Sequence, residues 1–183
     1  MAWLLLNVGA IHAEESSADR IVFQDPASGF RFPQMIGAYE LVKTEGFGYR
    51  GGTAVHYAET NGTQASVFIY NKDFTNLANG LDDRRLRNEL SSIDGAMTEM
   101  VRRGEYQSVE RVDLAPMSKA WLQVSHDIKL PGGKTLKSYS FMRVQNGYFV
   151  KLRVSGPSEG SNARVPAVLV GVSRAIGMLG GSR

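Results

Sequence analysis

A chain of 183 residues with 43% hydrophobic and 21% charged residues is long enough for one sizeable core, and too ordinary for a disordered, collagen-like or coiled-coil protein. A formal net charge of +3 is too weak to imply a nucleic-acid partner. The absence of cysteine excludes disulfides, zinc–thiolate sites, a thiol nucleophile and lipidation at cysteine.

Residues 1–13 read as a secretory signal peptide: an apolar run over 3–11, a cleavage site at Ile11-His12-Ala13, then the polar Glu14-Glu15-Ser16-Ser17. The usual positive start is missing, since no Lys or Arg precedes Arg20. An apolar helix packed on the domain is the alternative. The run is too short to span a bilayer, which takes about 20 residues. Residues 14–20 then form a flexible lead-in to a single domain over 21–180. Export without cysteine fits a periplasmic or secreted bacterial protein.

Ile21-Val22-Phe23 and Phe30-Arg31-Phe32 flank the turn sequence Asp25-Pro26-Ala27-Ser28-Gly29 and predict a small edge hairpin closed by Pro33. A further strand is expected over 39–44. Residues 53–60 and 63–70 flank Asn61-Gly62, a strong hairpin signal because both residues of a type I′ turn need φ > 0. A two-residue turn there sets Val55 opposite Phe68 and Thr53 opposite Tyr70 on one face. On the other it sets Ala54 opposite Ile69, His56 opposite Val67 and Ala58 opposite Ala65.

After the irregular 71–80, a long helix begins at Asp82-Asp83 and ends at Arg102-Arg103 before Gly104. Leu86, Leu90, Ile93, Met97, Met100 and Val101 form its apolar stripe. Strands follow over 106–114, 119–130, 135–145 and 148–155, punctuated by Ala115-Pro116 and Pro131-Gly132-Gly133. Asn146-Gly147 predicts a type I′ corner that faces Gln145 with Tyr148, Arg143 with Val150, Phe141 with Leu152 and Tyr139 with Val154. Tyr139, Phe141, Tyr148, Val150, Leu152 and Val154 then share a core face, while Met142, Val144, Phe149, Lys151 and Arg153 share the other, which is polar with an apolar patch near the turn. A last helix is expected over 166–179, with Pro166 in its first turn and Val168, Leu169, Val172, Ile176 and Leu179 buried. It is too short and polar to cross a membrane. The order predicts an α+β domain: an antiparallel sheet of about six or seven strands packed against a long central helix and a C-terminal helix.

Gly29-Phe30-Arg31-Phe32-Pro33, the Val67-Phe68-Ile69-Tyr70 strand and this order of elements resemble the PsbP-like α/β sandwich and the uncharacterised secreted bacterial proteins that share it, over residues 20–180. The resemblance implies a non-enzymatic accessory or binding protein and carries no catalytic motif onto this chain.

Gly46-Phe47-Gly48-Tyr49-Arg50-Gly51 spells the dinucleotide fingerprint, but a strand follows where a helix must receive the pyrophosphate, so the stretch reads as a loop. That loop is the expected ligand lip, with Phe47, Tyr49 and Arg50 combining aromatic faces and a cation beside glycines. Gly133-Lys134-Thr135 lacks both the glycine and the helix of a phosphate loop and reads as a hairpin turn. His126 shares a strand face with Leu122, Val124 and Ile128, away from Ser125 and Asp127, and reads as a hydrogen-bonded structural histidine, as does His56. No metal-ligand spacing occurs, and no cofactor is implied. Asp82, Asp83 and Glu89 read as helix start and polar side, and Arg84, Arg85 and Arg87 as its solvated face. Asn61-Gly62-Thr63 matches a glycosylation acceptor that matters only in a eukaryotic secretory route.

The expectation is an exported, non-enzymatic envelope protein that binds a protein partner or small ligand. Its site is either the 46–52 loop or a less covered sheet face near Val144 and Phe149. The alternatives are a hydrolase-like enzyme using His126 or His56 with a carboxylate, and a peripheral membrane protein held by the basic helix.

Overall fold

The computed structural model describes residues 20–48, 51–157 and 164–179. The expected signal peptide and all of the lead-in but Arg20 lie outside the described residues, as do Tyr49 and Arg50.

Strands β1 (Ile21–Gln24) and β2 (Arg31–Pro33) form the expected hairpin. The main sheet contains β3 (Met35–Ile36), β4 (Tyr39–Phe47), β5 (Gly52–Ala58), β6 (Gln64–Tyr70), β7 (Ser108–Val112), β8 (Leu122–Lys129), β9 (Thr135–Gln145) and β10 (Tyr148–Pro157). Its order is β3-β4-β5-β6-β10-β9-β8-β7, and every adjacent pair is antiparallel. The strand beyond the expected number is β3, whose two residues are too few to leave an alternating pattern. Helix α1 (Arg84–Arg102) follows β6, and α2 (Val165–Ala175) follows β10. No helix among the described residues is long and apolar enough to cross a membrane.

The β9–β10 corner is as expected. Asn146 and Gly147 take φ of 50° and 79°, and all four expected pairs align, from Gln145 with Tyr148 to Tyr139 with Val154. Tyr139, Phe141, Val150, Leu152 and Val154 are buried in a core roofed by α2 and the β1–β2 hairpin. On the opposite face Met142, Val144 and Phe149 join Leu86, Ile93 and Met97 of α1 in a second core.

The β5–β6 corner departs from expectation by one residue. Asn61 keeps negative φ and uses its side chain instead, Oδ1 accepting the Thr63 N–H at 2.9 Å. Gly62 alone turns left-handed at φ 86°, and the Glu59 N–H donates to the Thr63 carbonyl at 2.9 Å. This longer connection pairs Val55 with Val67, Thr53 with Ile69 and His56 with Ser66. Because strand side chains alternate, the shift puts Val55, Tyr57, Val67 and Ile69 in the α2 core. His56, Ser66, Phe68 and Tyr70 then share the opposite face.

The sheet face near Val144 and Phe149 is not the open one. Both residues are 0% exposed, because residues 71–81 cross over them. Gly80 N–H donates to the Val144 carbonyl at 2.9 Å, and Val144 N–H returns a bond at 3.0 Å. Phe74 packs edge-on to Phe149.

Helix α1 starts at Asp83, whose side chain caps the Arg85 N–H at 2.9 Å, and stops before Gly104 at φ 74°. It packs on β7, β8 and β9, toward one end of the sheet, and among the described residues that face of β4 and β5 carries no comparable helical cover. Helix α2 ends sooner than expected: Gly177 turns left-handed at φ 75°, and the Met178 N–H donates to the Ser173 carbonyl at 2.9 Å. Leu179, expected to be buried, is 44% exposed beyond that stop.

At the β3 end of the sheet, β3 pairs, among the described residues, only with Tyr39 and Glu40 of β4. A bulge between Leu41 and Lys43 interrupts the β4–β5 register and turns Val42 out to solvent.

Candidate functional site

Where α1 stops covering the sheet, a cleft of about 440 Å³ opens between the helix and the β4–β5 turn. Its rim is Phe47 with Gly48 and Gly52. A β-carbon on Gly52 would lie 2.7 Å from Phe47 Cε1, so only glycine lets the Phe47 ring fold back over the start of β5. The ring then meets Phe68 and Tyr70 edge-on, with centroids 5.3 and 5.5 Å away.

Tyr70 and Lys151 form the sheet wall, brought together by the β6–β10 ladder, in which Lys151 pairs with Phe68 and Phe149 with Tyr70. Glu89, Ser92 and Ile93 come from α1. They lie three and four residues apart and so share a helix face. Lys72 enters from the segment after β6.

Glu89 is the organising carboxylate. One oxygen accepts from Lys72 Nζ at 2.5 Å and the other from the Tyr70 hydroxyl at 3.1 Å. Burial pushes the Tyr70 hydroxyl above its ordinary pKa, and the Glu89 charge pushes it the same way, so the phenol stays a donor. The Lys151 ammonium lies 4.5 Å from the centroid of the Phe68 ring. Among the described residues no hydrogen bond or ion pair engages it. Burial lowers its pKa from the ordinary lysine value, with the Arg153 and Lys72 charges adding to the effect and Glu89 opposing it. Among the described residues the cleft therefore holds one charged pair, closed on itself, and one ammonium without a hydrogen-bond partner against an aromatic wall.

Phe47 thus stands where a ligand residue was expected, whereas nothing places Tyr49 or Arg50. Lys72, Tyr70, Glu89 and Lys151 were not expected. Glu89, expected on the polar side of α1, has only 13% of its side chain exposed. The signal that could have found Lys151 is its place on the same strand face as Phe149.

The two histidines take different positions. His126 is 2% exposed and shares its face with Val124 and Ile128 as expected, and its Nε2 lies 2.8 Å from Asp94 Oδ1 on α1. Arg111 Nη1 donates to the other Asp94 oxygen at 2.7 Å. A groove of about 510 Å³ runs beside this cluster. The remaining ring nitrogen, Nδ1, is buried and has no partner among the described residues, which leaves it out of reach of a molecule in the groove. His126 fastens α1 to the sheet.

His56 stands on the uncovered face, with Nδ1 2.9 Å from Ser66 Oγ and Nε2 3.1 Å from Glu45 Oε1. A carboxylate only accepts, so Nε2 carries the hydrogen and Nδ1 of the neutral ring accepts from the Ser66 hydroxyl. Glu45 is held below the ordinary carboxylate range, first by its hydrogen bond from Lys43.

Arg84 and Arg87 are solvated as expected, but Arg85 is not: it binds Asp83 and Asn76 and lies over the Phe74 ring. The basic face of α1 is correspondingly weaker. Among the described residues no three His, Asp or Glu side chains gather as a metal site. Compared with known proteins, the chain matches no family model and no curated sequence.

Proposed function

We propose that this protein is an exported, non-enzymatic binding module of the cell envelope whose ligand is a small molecule seated between Phe47 and α1. The observation that carries this reading is the unengaged Lys151 ammonium in an aromatic-walled cleft of about 440 Å³. Small-molecule sites combine an apolar lining with a few convergent polar groups at about this size. The apolar stretch ahead of Glu14-Glu15 supports export, and the PsbP-like order of elements supports an accessory role. Ligand-observed NMR with a panel of small soluble compounds tests it. Some members should bind, and should be displaced in Ser92→Trp, which fills the cleft from the exposed side of α1. Bound compounds that ignore both Ser92→Trp and Phe47→Ala would sink the reading.

A hydrolase-like reading is favoured by the Ser66–His56–Glu45 chain, whose hydrogen-bond polarity suits a serine nucleophile. It lies on an open strand face, apart from the cleft. A fluorophosphonate probe should label Ser66 if this reading holds, and an unlabelled Ser66 disposes of it.

A further inference from the structure

We infer that the ligand of the cleft is a small organic carboxylic acid whose carboxylate meets Lys151 and whose apolar body lies against Phe47, Tyr70 and Ile93. This names the ligand class for the binding reading above and rests on it. Among the described residues, the charges facing the cleft are Lys72, Glu89 and Lys151. Both Glu89 oxygens are occupied, one by Lys72 and one by the Tyr70 hydroxyl, so that pair is internally neutral. The remainder is a single positive charge on Lys151.

Arg153, two residues along β10 on the same face, does not cancel it. Its guanidinium donates to the hydroxyls of Ser138, Ser155 and Tyr106 at 3.0 to 3.1 Å, all neutral acceptors. Its charge adds to the positive field at Lys151. A cationic ligand meets that field unfavourably. A neutral ligand that filled the cleft would strip water from an unpaired ammonium, which is costly. A monoanion turns the same desolvation into a charge-assisted hydrogen bond. The Phe68 ring holds the ammonium from one side and cannot satisfy its three N–H donors, which are left for an acceptor entering the cleft.

Titration calorimetry on the full chain with 2-naphthoate, 2-naphthalenemethanol and 2-naphthylmethylammonium separates the classes, since the three share one apolar body. Naphthoate should bind roughly tenfold or more tightly than the other two, the worth of one hydrogen bond to a charged group. Lys151→Met should erase that preference, while Lys151→Arg keeps most of it and guards against a folding artefact. Equal binding of all three probes, a preference that survives Lys151→Met, or no binding at all overturns the acid assignment. If equal binding is nonetheless lost in Ser92→Trp, the cleft reading stands and only the ligand class falls. If naphthoate binding survives Ser92→Trp, the cleft reading itself fails.

Discussion

Asp94 on α1 and His126 on β8 are joined across the helix–sheet interface by a 2.8 Å contact. The second ring nitrogen is buried without a partner among the described residues, so this carboxylate is the imidazole's only polar contact there. Asp94→Ala leaves a buried ring with neither nitrogen satisfied and should cost about 1–3 kcal/mol. Asp94→Asn keeps an oxygen acceptor and should cost less. Urea denaturation checks the order, and an Asp94→Ala protein as stable as wild type would remove the fastening role.

Two helical glycines should respond to alanine with opposite signs. A β-carbon on Gly171 would lie 2.3 Å from Ile36 Cγ2, so α2 approaches β3 as closely as it does because that carbon is missing. Gly171→Ala should cost about 1–3 kcal/mol by overpacking, outweighing the gain in helix propensity. Gly95 in α1 faces open space, and Gly95→Ala should stabilise by about 0.5–1 kcal/mol. Thermal melts of both variants report the signs, and a stabilised Gly171→Ala would contradict the close approach.

The two Asn-Gly corners should also diverge. Asn146 is used for its backbone at φ 50°, so Asn146→Gly should be tolerated. Asn61 is used for its side chain, and Asn61→Gly should cost about 0.5–1.5 kcal/mol by freeing the Thr63 N–H. Equal losses at both corners would mean that they share one turn type.

Acid should loosen the start of α1. The Asp83 carboxyl is held below the ordinary carboxylate range, first by the Arg85 side chain and then by the N–H groups of Arg85 and Ala78, against the opposing effect of burial. A carboxyl whose pKa is lower in the folded state stabilises the fold above its unfolded pKa of about 4, and that contribution is lost as pH falls toward the folded value. Asp83→Asn should be less stable at neutral pH and lose less between pH 4 and 2, which denaturation at several pH values would detect. Parallel curves for the two proteins would count against it.

The elements that could be read from the chain were those with strong local chemistry. Asp83 and Gly104 bound α1, and Asn146-Gly147 set the β9–β10 register, because capping and left-handed turns depend on residues close in sequence. Asn61-Gly62 misled because the same dipeptide serves two turn types, and the choice rests on a side-chain bond to Thr63. Most of the cleft was invisible for another reason: Lys151 meets Phe68 only because β10 docks on β6, and no periodicity within either strand encodes that neighbour. Phe47 was legible through its glycines. Glu89 was misjudged because a helix projection cannot show that a tyrosine and a lysine from outside the helix will reach its outer side.

The bulge at Val42 bears on how so long a ribbon avoids its own kind. Past Glu40, the outer margin of β4 has no strand beside it among the described residues, and such margins invite strand addition between molecules. A visiting strand would find the spacing of donors and acceptors broken at Val42, and just beyond it the paired charges of Lys43 and Glu45. Restoring regular pairing by deleting Val42 would convert a guarded border into an adhesive one.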